Sequence, residues 1–447
     1  MANEAIAAIA TPPGRGGIGI VRVSGPRLEA LLRTLVNVDV IPRCATRADF
    51  LNADGRVIDQ GLVLFFPAPN SYTGEDVVEF QGHGGPVVMQ LVLNRCLELG
   101  ARVAQPGEFT RRAFLNDKLD LAQAESVADL INASTAEAAR CALRSLQGEF
   151  SRRIDSLVQE LIELRILVEA ALDFPDEDVA LIEQANACAR LERVRADLAQ
   201  IFEASRQGSL LREGIHVVLA GLPNVGKSSL MNRLAGADLA IVTATPGTTR
   251  DPIRESISIQ GVPLHVIDTA GLREPQDEVE KLGISKTWEA ISHANLVLWV
   301  SDATRPDSGV MDAELAARLP AGLPKLKVIN KIDLTGAQPS YQSQTDAGTI
   351  LLSAKTGAGI DLLQAALLEA AGWGGSYDEG VFMARSRHLH ALQAATGHLA
   401  QAATRAGELE LFAEELRLAQ LALASITGEV TADDLLGKIF SHFCIGK

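Results

Sequence analysis

The sequence predicts a multidomain protein in which an α/β domain is inserted into an all-α domain, after a smaller α+β domain at the N-terminus. Residues 213–371 alternate strand and helix patterns, which is typical of βαβ units and a parallel sheet. Amphipathic helical patterns lie on both sides of that segment. A chain of 447 residues is also too long for one hydrophobic core, so several domains are expected.

The α+β domain is predicted over residues 1–116. Short strands are expected at Ile18–Val23 and Gly61–Phe66, because these apolar runs lie between turns rich in glycine and proline. A helix is expected at Val87–Leu99. The pattern then changes to long helices, which places the next domain boundary at residue 117.

Each flanking helical segment, residues 117–212 and 372–447, carries an apolar stripe with residues spaced three and four apart. The first stripe consists of Phe150, Ile154, Leu157, Leu161, Leu164 and Val168, and the second of Leu409, Phe412, Leu416, Ala419, Leu423 and Ile426. Because an apolar stripe needs a partner, we predict that the two stripes cover each other in one discontinuous helical domain. Two separate helical domains are the alternative.

The net charge of −15 makes this an acidic chain, and it does not indicate nucleic-acid binding, which needs lysine and arginine. Any RNA contact must use a partner or a local basic patch. Arg111 with Arg112 and Arg140 with Arg144 are candidate patches, and an ordinary solvated helix face is the alternative for both.

The cysteines and the hydropathy predict a soluble cytoplasmic protein without a membrane association. The five cysteines are scattered and form no C-x-x-C pair, which argues against a disulfide framework and a zinc site. No segment reaches the roughly 20 apolar residues of a membrane span.

The inserted α/β segment contains five candidate strands. They are Ile215–Ala220, Leu264–Ile267, Leu296–Val300, Leu326–Ile329 and Ile350–Leu352. Ligands bind such sheets at the carboxyl ends of the strands, so polar motifs that directly follow a strand are the candidate site.

The strongest motif lies between the first of these strands and a predicted helix. Residues 221–228, GLPNVGKS, match the phosphate-binding pattern G-x-x-x-x-G-K-S in its required context. The glycines let backbone N–H groups curl around phosphates, and the helix N-terminus adds positive potential. Lys227 is expected to reach the β- and γ-phosphates, and the Ser228 hydroxyl to ligate Mg²⁺.

Further motifs follow in the order that a GTPase needs. Thr248-Thr249 can offer a second hydroxyl to Mg²⁺. The segment 268–271, DTAG, can support the metal's water shell and meet the γ-phosphate. The segment 330–333, NKID, ends with an aspartate that can accept two hydrogen bonds from guanine, and the segment 353–355, SAK, can cap the base.

This ordered set predicts a P-loop GTPase domain and resembles the translation-factor-like GTPases. The predicted GTP-binding residues are Asn224, Val225, Gly226, Lys227, Ser228, Ser229, Thr243, Ala244, Thr245, Pro246, Gly247, Thr248, Thr249, Asp268, Thr269, Ala270, Gly271, Asn330, Lys331, Asp333, Ser353, Ala354 and Lys355.

The group that drives hydrolysis is not supplied by the D-x-x-G motif. Many relatives of Ras have a glutamine directly after that motif, whereas this chain has Leu272, which cannot orient water. Either hydrolysis is feeble and the domain only senses nucleotide, or another group does the work. Asn224 favours the second interpretation, because its side-chain carbonyl could ligate a monovalent cation that offsets charge on the leaving oxygen. In the alternative, Asn224 only braces the loop.

Beyond the G domain, the whole chain resembles the MnmE/TrmE family, the tRNA uridine-modification GTPases. The motifs that carry the resemblance are TPPGRGG at 11–17, SYTGED at 71–76, GHGG at 82–85, PGEFT at 106–110, FLNDKLD at 114–120 and FCIGK at 443–447. The resemblance implies an N-terminal folate-binding domain, a helical domain in two segments and an inserted G domain, in agreement with the partition above.

The resemblance also implies a K⁺-activated GTPase whose G domains meet across the nucleotides of a homodimer. On this resemblance, K⁺ is held by Asn224 and by backbone oxygens of Thr243, Thr245 and Thr248. Mg²⁺ is held by Ser228 and Thr249. Glu280 is the implied catalytic residue and orients the attacking water. Without the family, Glu280 would be interpreted as a solvated helix charge.

The N-terminal domain is similar to domains that bind a reduced formyl-tetrahydrofolate and that form the dimer contact. The implied folate positions are Arg22, Glu79, Lys118 and Lys447. A carboxylate can pair with the amino-pyrimidine edge of the pterin, and cations can neutralise the glutamate tail of the folate. From the residues alone, each of the four would be a surface charge, so this assignment depends on the resemblance.

The implied reaction adds a carboxymethylaminomethyl or aminomethyl group to carbon 5 of the wobble uridine in certain tRNAs. In the family, a flavoprotein partner of the MnmG/GidA type brings FAD and NADH, and a heterotetramer is expected. Such a partner can carry much of the RNA contact, which fits the acidic charge of this chain.

Two other functions remain open from the sequence: a ribosome-assembly GTPase, and a GTP-switched scaffold, which Leu272 would fit. Cys444 could be a nucleophile, but a small structural residue is the simpler interpretation. His83 could be catalytic, and a histidine that packs in its glycine turn is the simpler interpretation there.

Overall fold

A computed structural model describes residues 4–173, 179–236, 253–268, 294–305, 322–343, 347–375, 380–428, 437, 439–441, 443–444 and 446. Only the backbone is described for residues 173, 179–185, 253–256, 268 and 347. Contacts divide the chain into two compact units. The first comprises Met1–Ala128, Leu146–Ala180 and Arg405–Lys447, and the second Asp129–Ser145 and Leu181–Thr404.

The described strands, in chain order, are β1 (Ile6–Ile9), β2 (Gly19–Gly25), β3 (Thr46–Leu51), β4 (Val57–Phe66), β5 (Asp76–Gly82), β6 (Arg102–Val103), β7 (Ile215–Ala220), β8 (Ile253–Ile259), β9 (Val262–Asp268), β10 (Leu296–Asp302), β11 (Lys325–Asn330), β12 (Ser340–Gln342) and β13 (Ala347–Leu351). The described helices are α1 (Glu29–Leu35), α2 (Pro86–Glu98), α3 (Glu108–Leu115), α4 (Leu121–Asn132), α5 (Ala136–Leu146), α6 (Glu149–Asp173), α7 (Val179–Glu213), α8 (Lys227–Ala235), α9 (Ile360–Ala370), α10 (Ser386–Thr404) and α11 (Leu409–Thr427).

The first unit contains a six-stranded sheet in the order β3-β4-β5-β2-β1-β6. Neighbouring strands are antiparallel except for β1 and β6. Helix α2 buries Met89, Val92 and Cys96 in the same core as Phe50 and Phe80 of the sheet. The predicted strands in this region are confirmed within β2 and β4, apart from one residue at the start of β2, and the predicted helix is confirmed as α2.

A network of ion pairs joins α3 to its surroundings. Glu108 accepts hydrogen bonds from Arg102, at 2.5 and 2.8 Å, and from Arg112, at 3.1 Å. Arg112 also donates to the Glu75 carboxylate at 2.9 Å and is only 7% exposed. The prediction of a surface basic patch at Arg111 and Arg112 is therefore wrong for Arg112, whose charge is used inside the protein.

The charge of Glu108 is stabilised by these contacts. Burial by itself would raise the pKa of this carboxyl group, but hydrogen bonds from Arg102, the Gln105 backbone and Arg112 lower it from 4.5 to about 2. The carboxylate is therefore ionised throughout the neutral range, and its pairing contributes to stability.

Two long helices of the first unit, α6 and α11, pack against each other. All six residues of the first predicted stripe are buried in α6, and the second stripe is buried in α11 except for the half-buried Leu409. Arg165 adds a hydrogen bond of 2.9 Å to Gln420 across the pair. The prediction that the two stripes cover each other is confirmed, because each removes the apolar face of the other from water.

The second unit is built on a seven-stranded sheet in the order β12-β13-β11-β10-β7-β9-β8. The five central strands are parallel, and the two edge strands β8 and β12 run antiparallel to their neighbours. The five predicted strands are confirmed as β7, β9, β10, β11 and β13, with shifted ends for some of them. The edge strands were missed because β12 is only three residues long and β8 carries a half-polar pattern.

Residues of α5 and α7 also pack against the segment that precedes α10 in the second unit. The Cys141 thiol donates to the Val381 carbonyl at 3.4 Å, and the Met383 N–H donates to the Ser145 hydroxyl at 2.9 Å. Helix α7 passes so close to the chain at Phe382 that a side chain at Gly208 would collide with its carbonyl.

Within each unit, segments from before and after the α/β segment therefore pack together, as expected when an α/β segment is inserted into a helical domain. The boundaries 1–116, 117–212, 213–371 and 372–447 stay predictions. None of the described helices combines the length and the apolar character that a membrane span requires.

Candidate nucleotide-binding site

The phosphate-binding loop connects β7 to α8, as its motif predicts. Gly226 has φ of 97° and caps the helix, and a Cβ at this position would collide with the side-chain amide of Asn330. Only glycine meets both conditions at once. The loop therefore lies directly against the segment predicted to bind guanine.

Lys227 lies across this loop. Its ammonium group donates to the carbonyls of Gly221 and Leu222, at 2.6 and 3.3 Å. The side chains of Ser228 and Ser229 follow in the first turn of α8. An ammonium, two hydroxyl-bearing residues and the N–H groups of a helix N-terminus thus belong to one short segment, which has suitable chemistry for phosphate and Mg²⁺.

Asn330 fixes the position of three backbone segments. Its amide group donates to the Val225 carbonyl at 2.9 Å, and its side-chain carbonyl accepts from the Lys331 and Ala354 N–H groups at 2.8 and 2.9 Å. The residue is only 2% exposed, so these bonds are made out of water and are costly to break. Asn330 is therefore a structural junction of the site.

Asp333 and Ser353 form the face that can read a base. The Ser353 hydroxyl donates to one carboxylate oxygen of Asp333 at 2.6 Å. Asp333 is exposed, while Ser353 is fully buried. A carboxylate whose orientation is fixed by a buried hydroxyl can accept hydrogen bonds from guanine N1–H and the 2-amino group. Adenine lacks both of these donors.

Lys331 joins this face to the phosphate loop. Its backbone is left-handed, with φ of 68°, and its ammonium group donates to the Asn224 carbonyl at 2.7 Å and to Asp302 at 2.6 Å. Burial alone would raise the pKa of Asp302, but the bond from Lys331 and two bonds from Thr304 lower it to about 2. The Asp302 carboxylate is therefore charged when it meets the lysine.

Arg233 of α8 holds the loop predicted to cap the base. Its guanidinium donates to the Ala354 carbonyl at 3.2 Å and to the Lys355 carbonyl at 2.6 Å. The structure thus brings the described parts of the phosphate motif, the N-K-x-D motif and the S-A-K motif together at the carboxyl ends of parallel strands. Asp268 is the last residue of β9, paired with Leu219 of β7, which places its backbone at the same edge.

Part of the predicted site lies outside the described residues. These residues are Thr243, Ala244, Thr245, Pro246, Gly247, Thr248, Thr249, Thr269, Ala270, Gly271, Leu272, Glu280 and Lys447. Their roles stay predictions.

The first unit brings two of the predicted folate residues together. Arg22 on β2 and Glu79 on β5 are opposite each other in the sheet and form an ion pair of 2.9 Å. The guanidinium of Arg22 lies 5.8 Å from the ring centre of Tyr72 and 5.7 Å from that of Phe109. Lys118 is exposed and lies beside the glycine at position 74. Arg22 therefore contacts a carboxylate and lies near two aromatic rings in this domain.

His83 and Cys444 have the following surroundings. The His83 ring is 2.7 Å from a carboxylate oxygen of Asp59, and the His83 N–H donates to the other oxygen at 2.8 Å. The Cys444 side chain is exposed, and its carbonyl accepts from the Gly107 N–H at 3.4 Å. The roles of both residues stay predictions.

Comparison with known sequences places the chain in a family. The profile described as the MnmE helical domain matches residues 121–444, and the profile described as the GTP-binding protein TrmE N-terminus matches residues 5–118. The tRNA modification GTPase MnmE of Nitrosomonas europaea is 61% identical over 449 residues, which cover 100% of this chain and 99% of that protein. The chain belongs to the MnmE family of tRNA modification GTPases.

Other members of the MnmE family match over the same extent. The tRNA modification GTPase MnmE of Azoarcus sp. (strain BH72) is 59% identical over 99% of this chain and 98% of that protein. Among solved structures, a variant of Aquifex aeolicus Era bound to GDP·AlF₄⁻ is 26% identical, covers 41% of this chain and 66% of that chain, and gives a TM-score of 0.26.

In this MnmE-family GTPase, the sequence motifs predicted ligand-binding residues and did not include several residues that hold them in place. Asp302, Thr304 and Arg233 belong to no predicted motif. Asp302 contacts Lys331 and Arg233 contacts Ala354, which are both motif residues, and Thr304 contacts Asp302. Asp302 could have been found, because it is a polar residue at the carboxyl end of the apolar run LVLWVS. Nothing in the sequence indicates that Arg233 reaches the loop at 354–355.

Proposed function

We propose that this chain is a K⁺-activated GTPase that acts with a flavoprotein partner of the MnmG/GidA type on certain tRNAs. The pair would add a carboxymethylaminomethyl or aminomethyl group to carbon 5 of the wobble uridine. The observation that carries the proposal is the nucleotide site, in which the phosphate loop and the guanine-reading segment are tied together through Asn330 and Lys331. The relatives are named tRNA modification GTPases, and that name supplies the RNA substrate.

The geometry of Asn224 supports the cation part of the proposal. Its backbone is left-handed, with φ of 66°, and its carbonyl is held by Lys331. Within the part of the chain that the structure describes, its exposed side chain makes no hydrogen bond. Bracing of the loop is thus done by the backbone oxygen, which leaves the side-chain carbonyl available for K⁺.

The remaining ligands complete this proposal. Backbone oxygens of Thr243, Thr245 and Thr248 would complete the K⁺ site. Mg²⁺ would be held by Ser228 and Thr249. Glu280 would be catalytic by orienting the attacking water, which replaces the glutamine that Leu272 cannot imitate.

The N-terminal domain is proposed to bind a reduced formyl-tetrahydrofolate. Glu79 can pair with the amino-pyrimidine edge of the pterin, and its orientation is fixed by Arg22. The exposed ring of Tyr72 beside Arg22 offers apolar surface for the pterin, while the buried ring of Phe109 packs behind the guanidinium. Lys118 and Lys447 would neutralise the glutamate tail.

We further propose a homodimer through residues 1–116 and a heterotetramer with the flavoprotein, located in the cytoplasm. FAD and NADH belong to the partner in this scheme. The partner can also contribute RNA contacts, because this chain carries a net charge of −15 and one of its predicted basic patches uses Arg112 internally.

The first test measures GTP hydrolysis by the purified protein in potassium and in sodium buffers of equal ionic strength, with Mg²⁺ present in both. We expect hydrolysis at least roughly tenfold faster in potassium, because a bound cation replaces the missing glutamine or arginine in stabilising charge on the leaving oxygen. The Asn224→Ala variant should lose this difference. Equal rates in the two salts would show that the site does not use K⁺.

The second test concerns the RNA substrate. In a strain that lacks this gene, mass spectrometry of tRNA should show wobble uridines without the carbon-5 group, and the wild-type gene should restore it. A gene carrying Lys227→Ala should fail to restore it, because the phosphate loop then lacks its ammonium group. Fully modified wobble uridines in the deletion strain, with abnormal ribosomal subunits, would favour ribosome assembly instead.

A further inference from the structure

We propose that Asp302 is a positioning residue of the nucleotide site, which fixes the phosphate loop at Asn224 by holding Lys331. Asp302 lies outside every motif that the sequence predicts for nucleotide binding. The part of this inference that concerns K⁺ depends on the function proposed above, whereas the part that concerns nucleotide affinity requires only that the domain binds guanine nucleotides.

Asp302 occupies a place from which it can act on two strands. It is the last residue of β10 and pairs in register with Asn330, the last residue of β11. Its side chain is only 4% exposed. One carboxylate oxygen accepts from the Thr304 N–H and hydroxyl at 2.9 and 2.7 Å, and the other accepts from Lys331 at 2.6 Å.

These bonds form a chain from β10 to the phosphate loop. Thr304 orients the Asp302 carboxylate, the carboxylate orients the Lys331 ammonium, and the ammonium donates to the Asn224 carbonyl at 2.7 Å. A lysine side chain loses rotamer entropy when it is fixed, so a charged partner is needed to keep it in one position. The Lys331 side chain is 31% exposed, and without Asp302 water would compete for its ammonium group.

Loss of Asp302 should affect the phosphate loop at Asn224 and not at Val225. Successive loop carbonyls are held by different donors, since Val225 is held by Asn330 and Asn224 by Lys331. Loss of Asp302 should therefore loosen Asn224 while the Asn330 junction remains. Because Asn224 is the proposed K⁺ ligand, K⁺ dependence should change more than phosphate binding does.

The experiment compares Asp302→Asn, Thr304→Val, Lys331→Met and the double variant Asp302→Asn with Lys331→Met. Asp361→Asn is the control, since Asp361 is an exposed carboxylate in the first turn of α9 of the same unit. For each protein, GTP hydrolysis is measured against K⁺ concentration, a fluorescent GDP analogue is titrated in sodium buffer, and thermal unfolding is recorded.

In Asp302→Asn we expect the K⁺ concentration for half-maximal hydrolysis to rise roughly tenfold and the GDP dissociation constant to rise about threefold. Thr304→Val should give smaller changes in the same direction, and it keeps the charge if Asp302→Asn fails to fold. The double variant should match Lys331→Met alone, because Asp302 acts through the lysine. Asp361→Asn should match the wild type.

Three results would overturn the inference: an unchanged K⁺ requirement and GDP affinity in Asp302→Asn, additive effects in the double variant, or a lower unfolding temperature as the only change in both Asp302→Asn and Thr304→Val. A wild-type protein without any K⁺ stimulation would contradict the proposed function instead. In that case the GDP titration alone still decides whether Asp302 positions the loop.

Discussion

Replacing Gly226 with valine is expected to reduce the affinity for GDP and GTP by roughly a thousandfold and to remove GTP hydrolysis at ordinary substrate concentrations. A left-handed backbone costs a side-chain-bearing residue about 1–2 kcal/mol, and φ at this position is 97°. The new side chain would also displace the Asn330 amide, which leaves buried polar groups without partners at roughly 1–3 kcal/mol each. Nucleotide binding must restore the loop conformation against these costs. A total near 4 kcal/mol corresponds to about three powers of ten in the dissociation constant.

Gly336→Val provides a matched control, because Gly336 has φ of 73° and a Cβ there would have no heavy atom within 4 Å. It therefore imposes a similar backbone strain without a collision. Titration of a fluorescent GDP analogue should show nearly wild-type affinity for Gly336→Val. Equal affinity for Gly226→Val and the wild type would contradict the close approach between the phosphate loop and Asn330.

Replacing Glu108 with alanine is expected to destabilise the first unit by about 3 kcal/mol at neutral pH, since removing one partner of a buried pair leaves charge without compensation. Arg112 would retain Glu75 but lose the Glu108 carboxylate. The control is Glu98→Ala, because the Glu98 side chain is 56% exposed and its pair with Arg95 is a local one, three residues apart on α2. That change should cost less than about 1 kcal/mol.

The destabilisation by Glu108→Ala should also depend on pH with a definite sign. The pKa of Glu108 in the folded protein, about 2, lies below its ordinary value of 4.5. The carboxylate therefore contributes fully to the free energy of unfolding above pH 4.5, and this contribution is lost as the pH falls toward 2. Hydrogen exchange of amides in β1 and α3, measured near pH 7 and near pH 4, should show a smaller difference between variant and wild type at the lower pH. Equal protection in Glu108→Ala and Glu98→Ala at neutral pH would contradict the assigned role of the network.

Much of the fold could be predicted because its signals are local. A stripe with three- and four-residue spacing must be covered whatever its partner is, so the burial of Phe150 and Ile154 in α6 follows from their spacing. The central parallel strands are nearly continuous apolar runs, and this is why β7 was predicted with its ends correct. The edge strand β12 has only three residues, and its pairing with β13 depends on the neighbouring strand more than on its own residues.

The residues of the predicted site also differ in how far the sequence could predict them. Residues predicted to bind a ligand must have particular chemistry at particular spacings, and motifs capture both for Lys227 and Asp333. Residues that hold them need only some polar group within reach. Arg112 shows the opposite error, because its charge indicates a surface residue while its partners Glu75 and Glu108 make it part of the interior.

The sequence by itself predicted a phosphate loop, a guanine-reading segment and helices that must find partners, because periodicity and motif spacing are properties of the chain. Only the tertiary structure decided that Asp302 meets Lys331, that Lys331 meets Asn224 and that Glu108 is buried among arginines. These pairs are 29, 107 and up to 6 residues apart along the chain. Hydrogen bonds form between atoms that are close in space, and such proximity arises only when the strands and helices have packed.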